Sequence, residues 1–385
     1  MITRSILKEA TYCLTQFRAL CIVGPRQSGK TTLCKMISKG KPYINFENPA
    51  IQLLAETEPE AFLKKYKNGA ILDEVQRVPH IFRYLQVILD VNTKRGQFIL
   101  TGSNNFLLQE QVAQSLAGRA GYLTLLPLSY QELTQAKLAK HNIDYIILQG
   151  SYPEVWKEKL NPITWYSSYI LTYIQRDVRL LKNIVNLATF NKFVALCANY
   201  AGQLVNRDEL AKLVGVDTKT ILSWLGLLET SYIAYTVPPW YSNKNKRLVK
   251  SSKLYFYDTG VLCNLLGIKS ITALQKHAAY GAIFENWIIT EIKKNRYNFG
   301  DNEPIYFYRD SLGTEVDIIL EQDGSTTAIE IKASAKLTPA MYKGLHSWYK
   351  GMPNTTGIVL YKGANDITIN NNTSGLSWQH IKDMM

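Results

Sequence analysis

An α/β protein of several domains is what this sequence predicts, and three stretches carry the prediction. The first is Gly24-Pro25-Arg26-Gln27-Ser28-Gly29-Lys30-Thr31, set between an apolar strand at 20–23 and the start of a helix. The second is 70–74, Ala-Ile-Leu-Asp-Glu, an apolar strand that delivers two adjacent carboxylates at its C-terminal end. The third is an alternating run at 314–320 with a return strand at 328–332, a hairpin that brings Asp317, Glu330 and Lys332 together. At 385 residues the chain is too long for one core, so about two to three domains are expected.

Gly-x-x-x-x-Gly-Lys-Thr between a strand and a helix is a phosphate loop. Its successive backbone N–H groups and the positive end of the helix form an anion cradle. Gly24, Pro25, Arg26, Gln27, Ser28, Gly29, Lys30, Thr31 and Thr32 are therefore the expected contacts to ATP. Lys30 would reach the β- and γ-phosphates, and the Thr31 hydroxyl would hold Mg²⁺. Glycine is expected at 24 and 29 because a side chain would block the approach of backbone to phosphate.

A helix over 32–38 ends at Gly40, and 43–46 forms a second short strand, giving β-α-β order. At the strand end, Asp73 suits the Mg²⁺ shell and Glu74 the polarisation of an attacking water. Another apolar strand, 97–100, runs into Thr101-Gly102-Ser103-Asn104. In ATPases with an additional strand between the two phosphate motifs, that strand ends in a polar residue touching the γ-phosphate, and Ser103 or Asn104 fills that position here. Arg119 is the candidate γ-phosphate sensor, acting in cis or from a neighbouring subunit, and the second option requires an oligomer.

Lysine and arginine number 44 against 31 acids, a net charge of +13. That balance favours a polyanionic partner, DNA ahead of a membrane surface, because no stretch approaches the roughly 18 apolar residues of a spanning helix. The first twenty residues carry Arg4, Lys8, Glu9 and Arg18 and lack the apolar block of a signal peptide. The cysteines at 13, 21, 34, 197 and 263 form no CxxC pair and read as reduced thiols. A cytoplasmic protein is expected.

Residues 127–190 read as helical, with Trp165, Tyr166, Tyr169 and Tyr173 at the spacing of a packing face. From 191 the pattern changes to three helices and a ribbon. Asn206 with Glu209 opens one helix, Gly215 makes the turn, and Asp217 caps the next, whose apolar stripe is Ile221, Leu222, Leu225 and Leu228. Such a helix-turn-helix exposes Thr218, Lys219 and Thr220 to a groove. Strand-like runs at 233–237 and 254–257 flank a loop with Lys244, Lys246, Arg247, Lys250 and Lys253. The whole reads as a winged helix whose basic wing neutralises phosphates, although the same module also serves protein contacts.

In the last hundred residues, alternation puts Glu315, Asp317 and Ile319 on one face and Val316, Ile318 and Leu320 on the other. Asp323-Gly324 makes the turn, so Asp317 meets Glu330 with Lys332 adjacent. Two carboxylates and a lysine in that arrangement can hold Mg²⁺ and position a water for attack on a phosphodiester. Glu285, on an amphipathic helix at 283–292, would supply a further acid. The alternative is a surface hairpin with interspersed charges.

Taken together, GPRQSGKTTL at 24–33, ILDEVQRVP at 71–79, LTGSN at 100–104, LAGRAGYLTLLPLSYQE at 116–132, YIQRDV at 173–178, LYFYDTG at 254–260, FEN at 284–286, and EVDIIL with IEIKAS resemble a known bacterial and archaeal family. It comprises AAA+-like ATPases with a winged helix and a C-terminal PD-(D/E)xK nuclease-like domain. The resemblance covers almost the full length and departs at Val316, where the nuclease pattern has proline. It implies an additional-strand P-loop ATPase domain at 1–135, a helical lid at 136–190, a winged helix at 191–265 and a restriction-endonuclease-like α/β domain at 266–385. It also implies self-association through the ATPase domain and work on DNA, branched or forked DNA included, with a terminal site that cuts or only grips. The competing expectation is a nucleotide-dependent regulatory or scaffold protein whose later domains bind proteins.

Overall fold

Strands β1 (Ala19–Val23), β3 (Ile71–Asp73) and β4 (Phe98–Gly102) are apolar along most of their length and buried at every position, the pattern of strands covered on both faces. β2 (Tyr43–Asn45) and β5 (Ala120–Thr124) are partly exposed and form the two edges of the same parallel sheet. The computed structural model describes residues 2–384 apart from 39, 104–107, 109–110, 113, 140–141, 179–183, 185, 242–250, 323, 350–351 and 353–354. The chain divides into two units, one of residues 1–128, 230–232 and 296–301, the other of 129–229, 233–295 and 302–385.

In the first unit the strand order is β2-β3-β4-β1-β5. β4 thus lies between the strand that feeds the phosphate loop and the strand that ends in Asp73, which is the additional strand expected from sequence. All pairs are parallel, with Val23 level with Gly102 and Asp73 level with Thr101. Parallel pairing puts the C-terminal ends of β1, β3 and β4 on one edge, where open α/β sheets bind ligands. The helices Leu7–Gln16 and Lys30–Ile37 close one face, packing Ala10, Cys13, Leu33 and Cys34 onto Leu20, Ile22, Ile71 and Ile99. Each such fully buried aliphatic chain stabilises the fold by roughly 1.5–3 kcal/mol. The helix after the loop starts at Lys30 rather than 32, and β4 runs two residues past the expected end.

The second unit begins with short helices whose aromatic residues pack on one another. Tyr152, Trp165, Tyr166 and Tyr169 form one cluster, and the Tyr152 and Tyr169 hydroxyls meet at 2.7 Å. The helix Pro162–Tyr169 continues as a π-helix, Ile170–Val178. Helices Leu187–Asn199, Arg207–Val214 and Thr218–Thr230 follow, and then an antiparallel ribbon of β6 (Ala234–Val237) and β7 (Lys253–Phe256). Asn206 accepts from the N–H groups of Asp208 and Glu209, and Asp217 from that of Thr220, so both caps form as read from sequence.

Two motif residues in this unit act on the backbone. Asp258 accepts from the N–H groups of Val261 and Ser151, while a Cβ on Gly260 would stand 2.2 Å from the Tyr166 ring. Buried Asn286 pairs with both the N–H and the carbonyl of Phe256, tying helix Tyr280–Asn298 to β7.

A six-stranded mixed sheet completes the unit. It comprises β8 (Tyr306–Arg309), β9 (Glu315–Gln322), β10 (Ser325–Lys332), β11 (Thr355–Tyr361), β12 (Ile367–Asn370) and β13 (Thr373–Ser377), in the order β12-β13-β11-β10-β9-β8. Ile318 pairs with Ile329, so the register sets Asp317 against Glu330 as expected. The strict alternation of β9 fails. Tyr306 pairs with Ile319 and Tyr308 with Val316, so one extra residue of β9 is accommodated as a bulge. Val316 and Ile319 consequently enter one apolar cluster with Trp240, Leu345 and Trp348. Asp323 of the expected turn lies outside the described residues, while Gly324 stands at φ 79°.

Candidate functional sites

The phosphate loop follows β1 directly, and backbone geometry fixes its glycines. Gly24 has φ 146° and Gly29 φ 97°, values that strain any side chain. A Cβ at Gly24 would also stand 2.1 Å from the Leu125 carbonyl oxygen. The requirement for glycine there comes from packing against the chain after β5, before any ligand is considered. The loop is braced by Arg4, a buried residue whose guanidinium donates to the carbonyls of Ser28 at 2.7 Å and Leu126 at 2.6 Å. No sequence signal pointed to Arg4, because its partners are backbone atoms far along the chain.

Lys30 is buried, and its ammonium donates to the carbonyls of Gly24 at 2.9 Å and Pro25 at 2.8 Å. Burial pushes its pKa down, against the opposing pull of the Glu74 and Asp73 carboxylates. The Ser28 hydroxyl is fully buried and without a hydrogen-bond partner among the described residues. A cation resting on neutral carbonyls beside an unpaired hydroxyl fits a phosphate chain. Bound Mg²⁺ would neutralise charge on the β- and γ-phosphate oxygens. Thr31 and Asp73 would hold it. Thr31 donates to Asp73 Oδ2 at 2.8 Å, Tyr43 donates to the same oxygen at 2.7 Å, and Asp73 Oδ1 accepts the Glu74 N–H at 3.1 Å. Tyr43, unmarked by any motif, thus sets the direction of the carboxylate.

Glu74 is in the left-handed region, φ 55° and ψ 41°, a strained conformation for a residue with a side chain. Its Oε2 accepts from Gln76 Nε2 at 2.5 Å, from the Ser103 hydroxyl at 3.0 Å and from the Ser103 N–H at 3.3 Å. Ser103 therefore reaches Glu74, which sequence reasoning had placed against the phosphate. Asn104 lies outside the described residues. Arg119 is not brought to this edge. It directly precedes β5, at the N-terminal end of the sheet, and forms a two-point pair with Asp90 at 2.6 and 2.9 Å. Arg119 lies level with Arg18, six residues before Gly24, and at about 3.3 Å per strand residue it does not reach the loop of its own chain.

The second constellation lies in the other unit. Glu285 from helix Tyr280–Asn298, Asp317 from β9, and Glu330 and Lys332 from β10 converge as expected, and Glu315 of β9, not expected there, joins them. Sequence reasoning missed the residue at their centre. Lys253, assigned to the exposed basic loop, is 3% exposed on β7. Its Nζ contacts a Glu315 oxygen and lies 3.2 Å from Glu285 Oε1 and 3.9 Å from Asp317 Oδ1. Burial opposes its charge, but Glu285, Asp317 and Glu315 raise its pKa overall.

Tyr255 donates to the same Glu285 oxygen at 2.5 Å, and the Ile331 N–H to Asp317 Oδ2 at 2.7 Å. Glu330 pairs with Lys332. Burial, then the Asp317 charge, pushes Glu285 up to about 7 and Glu330 up to about 8. Among the described residues, no group of three His, Cys, Asp or Glu side chains is arranged to hold a metal ion. Glu330 Oε2 is buried without a hydrogen-bond partner among the described residues, while Lys253 stands among Glu285, Glu315 and Asp317, so the Mg²⁺ ligation expected of Glu285, Asp317 and Glu330 would have to compete with an ammonium already in place.

The helix start expected to face a groove is committed internally. The Thr218 hydroxyl donates to Asp208 at 2.7 Å and the Thr220 hydroxyl to Asp217 at 2.9 Å. Two carboxylates beside Lys219 weaken this corner as a phosphate contact. Lys244, Lys246, Arg247 and Lys250 lie outside the described residues.

Residues 16–134 match the family model described as AAA domain. Two models described as domains of unknown function, DUF8612 and DUF4143, match residues 140–272 and 280–381. An uncharacterized protein of Mycobacterium tuberculosis is 29% identical over 330 residues, covering 85% of this chain and 72% of that protein. An uncharacterized protein of Methanocaldococcus jannaschii is 25% identical over 337 residues, covering 78% and 71%. Among solved structures, the Walker-type ATPase paby2304 of Pyrococcus abyssi aligns with a TM-score of 0.47 at 15% identity, covering 69% of this chain and 96% of that one. With its sheet order and phosphate loop, the N-terminal part of the chain is a P-loop NTPase domain, and it matches the AAA domain model.

Proposed function

We propose that the chain hydrolyses ATP in its AAA-type domain and uses the cycle to bind and remodel DNA, with the terminal domain gripping rather than cutting. The observation that carries the hydrolytic part is one sheet edge on which Thr31 and Asp73 are joined and Glu74 is oriented by Ser103. These residues divide the work. Lys30 binds phosphate, Thr31 and Asp73 hold the metal, and Glu74 takes the proton of the attacking water.

Support for DNA comes from the net charge of +13 and from the three helices with a β6–β7 ribbon, an order that suits a winged helix. A cleft of about 620 Å³ in the first unit, lined by Lys41, Lys65 and Arg95 with no acidic side chain, offers further room for a polyanion. The mixed sheet with its Asp317, Glu330 and Lys332 hairpin suits a nuclease-like fold, while Lys253 at the centre of its carboxylates favours gripping. Five free, buried cysteines suit a reducing compartment such as the cytoplasm, and no helix among the described residues is long and apolar enough to cross a membrane.

The test is the ATPase rate with single-stranded, duplex and branched DNA at low salt, with Lys30→Ala as the blank. Stimulation by DNA that fades as salt rises is expected. Hydrolysis that ignores every DNA would leave the nucleotide-dependent scaffold as the better reading.

A further inference from the structure

We infer that Lys253 is the resident cation of the terminal carboxylate cluster, its ammonium standing where a divalent metal would have to bind. The cluster then acts as a closed ionic joint between β7, helix Tyr280–Asn298 and the β9–β10 hairpin. The inference concerns this cluster alone and stands whether or not the ATPase acts on DNA.

Four acids gather here, Glu285, Glu315, Asp317 and Glu330, with Lys253 and Lys332 among them and Arg309 at the rim, 3.6 Å from Glu315. An ammonium has three N–H donors, and Lys253 faces three of these carboxylates. Its Nζ also lies over the Phe307 ring, 5.5 Å from the centroid, a second favourable surface for a cation.

Of the oxygens a metal would need, Glu330 Oε2 is buried without a hydrogen-bond partner among the described residues, while others are engaged. Glu285 Oε1 receives both Lys253 and the Tyr255 hydroxyl, and Asp317 Oδ2 receives the Ile331 N–H. Mg²⁺ demands a near-octahedral shell of oxygens at about 2.1 Å, and a buried ammonium among those oxygens both takes their lone pairs and repels the ion. Lys332, the lysine of the expected triad, is spent on Glu330. A nuclease-like hairpin in this state has the acids of a metal site with an ammonium already paired to three of them.

Mn²⁺ is the probe, counted by electron paramagnetic resonance on the full chain without nucleotide. The parent is expected to bind no Mn²⁺ that is lost on Asp317→Asn. Lys253→Met, which keeps the aliphatic stem and removes the charge, should bind Mn²⁺ at least about tenfold more tightly, a gain of about 1.4 kcal/mol. Adding Asp317→Asn to it should abolish that gain.

Saturable Mn²⁺ binding by the parent that disappears in Asp317→Asn would overturn the inference, as would a folded Lys253→Met that binds no better than the parent. Should Lys253→Met fail to fold, Lys253→Met with Glu285→Gln relieves the unpaired charge and is read the same way. Cleavage of DNA by the parent in Mn²⁺, lost on Asp317→Asn, would also overturn it.

Discussion

Lys30 and Lys253 are both buried ammonium groups near an aspartate and a glutamate, yet they are held in opposite ways. Lys30 contacts two peptide carbonyls, neutral acceptors that a phosphate can replace with gain of charge pairing. Lys253 contacts carboxylates, and nothing short of another cation can replace it with profit. Lysine beside acids is therefore not one motif. The acceptor under the ammonium decides whether a site is ready for an anionic ligand or already satisfied.

The largest effect should fall on hydrolysis. Glu74→Gln keeps the shape and removes the base, so kcat should drop by about 10²–10⁴-fold with nucleotide affinity nearly unchanged, read by phosphate release and by binding of a fluorescent ATP analogue. Loss of affinity to the same degree would mean that Glu74 shapes the site instead of acting in it.

The lysines themselves should separate next, in urea unfolding at neutral pH. Lys253→Met leaves Glu285, Glu315 and Asp317 without their cation and should cost about 3–5 kcal/mol. Lys30→Met removes a charge that burial disfavours and should change stability by no more than about 1 kcal/mol. Equal losses would erase the distinction drawn between the two sites.

The pH dependence sharpens it. Glu285 and Glu330 are raised from 4.5 to about 7 and about 8, so between pH 4.5 and those values the folded chain binds more protons than the unfolded one. Stability from this cluster is therefore complete in acid and declines as pH rises through 7 and 8, by up to about 1.4 kcal/mol per pH unit for each group. The charges facing these two acids are Lys253 on β7, Glu315 and Asp317 on β9 and Lys332 on β10, with the Tyr255 hydroxyl beside them. Urea midpoints from pH 5 to 8.5 should fall with rising pH, less steeply in Glu330→Gln. A flat profile would mean that neither carboxyl takes up its proton.

The contrast also marks how far the sequence could be read. The phosphate loop, Asp73-Glu74 and the inserted β4 were legible because each is a local pattern of strand, turn and helix. The convergence of Asp317 and Glu330 was legible because hairpin register follows from two short strands and a turn. Lys253 was misread, since a lysine after four other basic residues in a loop gives no sign that its strand is covered by Glu285 and β9. The choice left open for Arg119, between its own chain and a neighbouring subunit, could not be narrowed because a sequence does not say which end of a parallel sheet a residue occupies. Arg4 and Tyr43 carried no signal, as their partners are set only by the closed fold. The bulge in β9 broke an alternation that two hydrophobic positions, Val316 and Ile319, could not reveal.

The smallest expected effect separates two roles for Ser103. Its hydroxyl and N–H both bond Glu74 Oε2, so on this geometry it orients the proposed base. Removing one hydrogen bond of this kind costs about 1 kcal/mol, and Ser103→Ala should lower kcat by roughly 5-fold, with ATP and ADP affinities falling together or not at all. A serine that instead touched the γ-phosphate would show itself differently. Its loss would weaken ATP while sparing ADP, because only ATP carries the group it would hold. The ratio of the two dissociation constants, measured by calorimetry on Ser103→Ala and its parent, decides between them. An unchanged ratio with a slower kcat keeps Ser103 as a positioning residue for Glu74, and a ratio shifted toward ADP moves it to the phosphate.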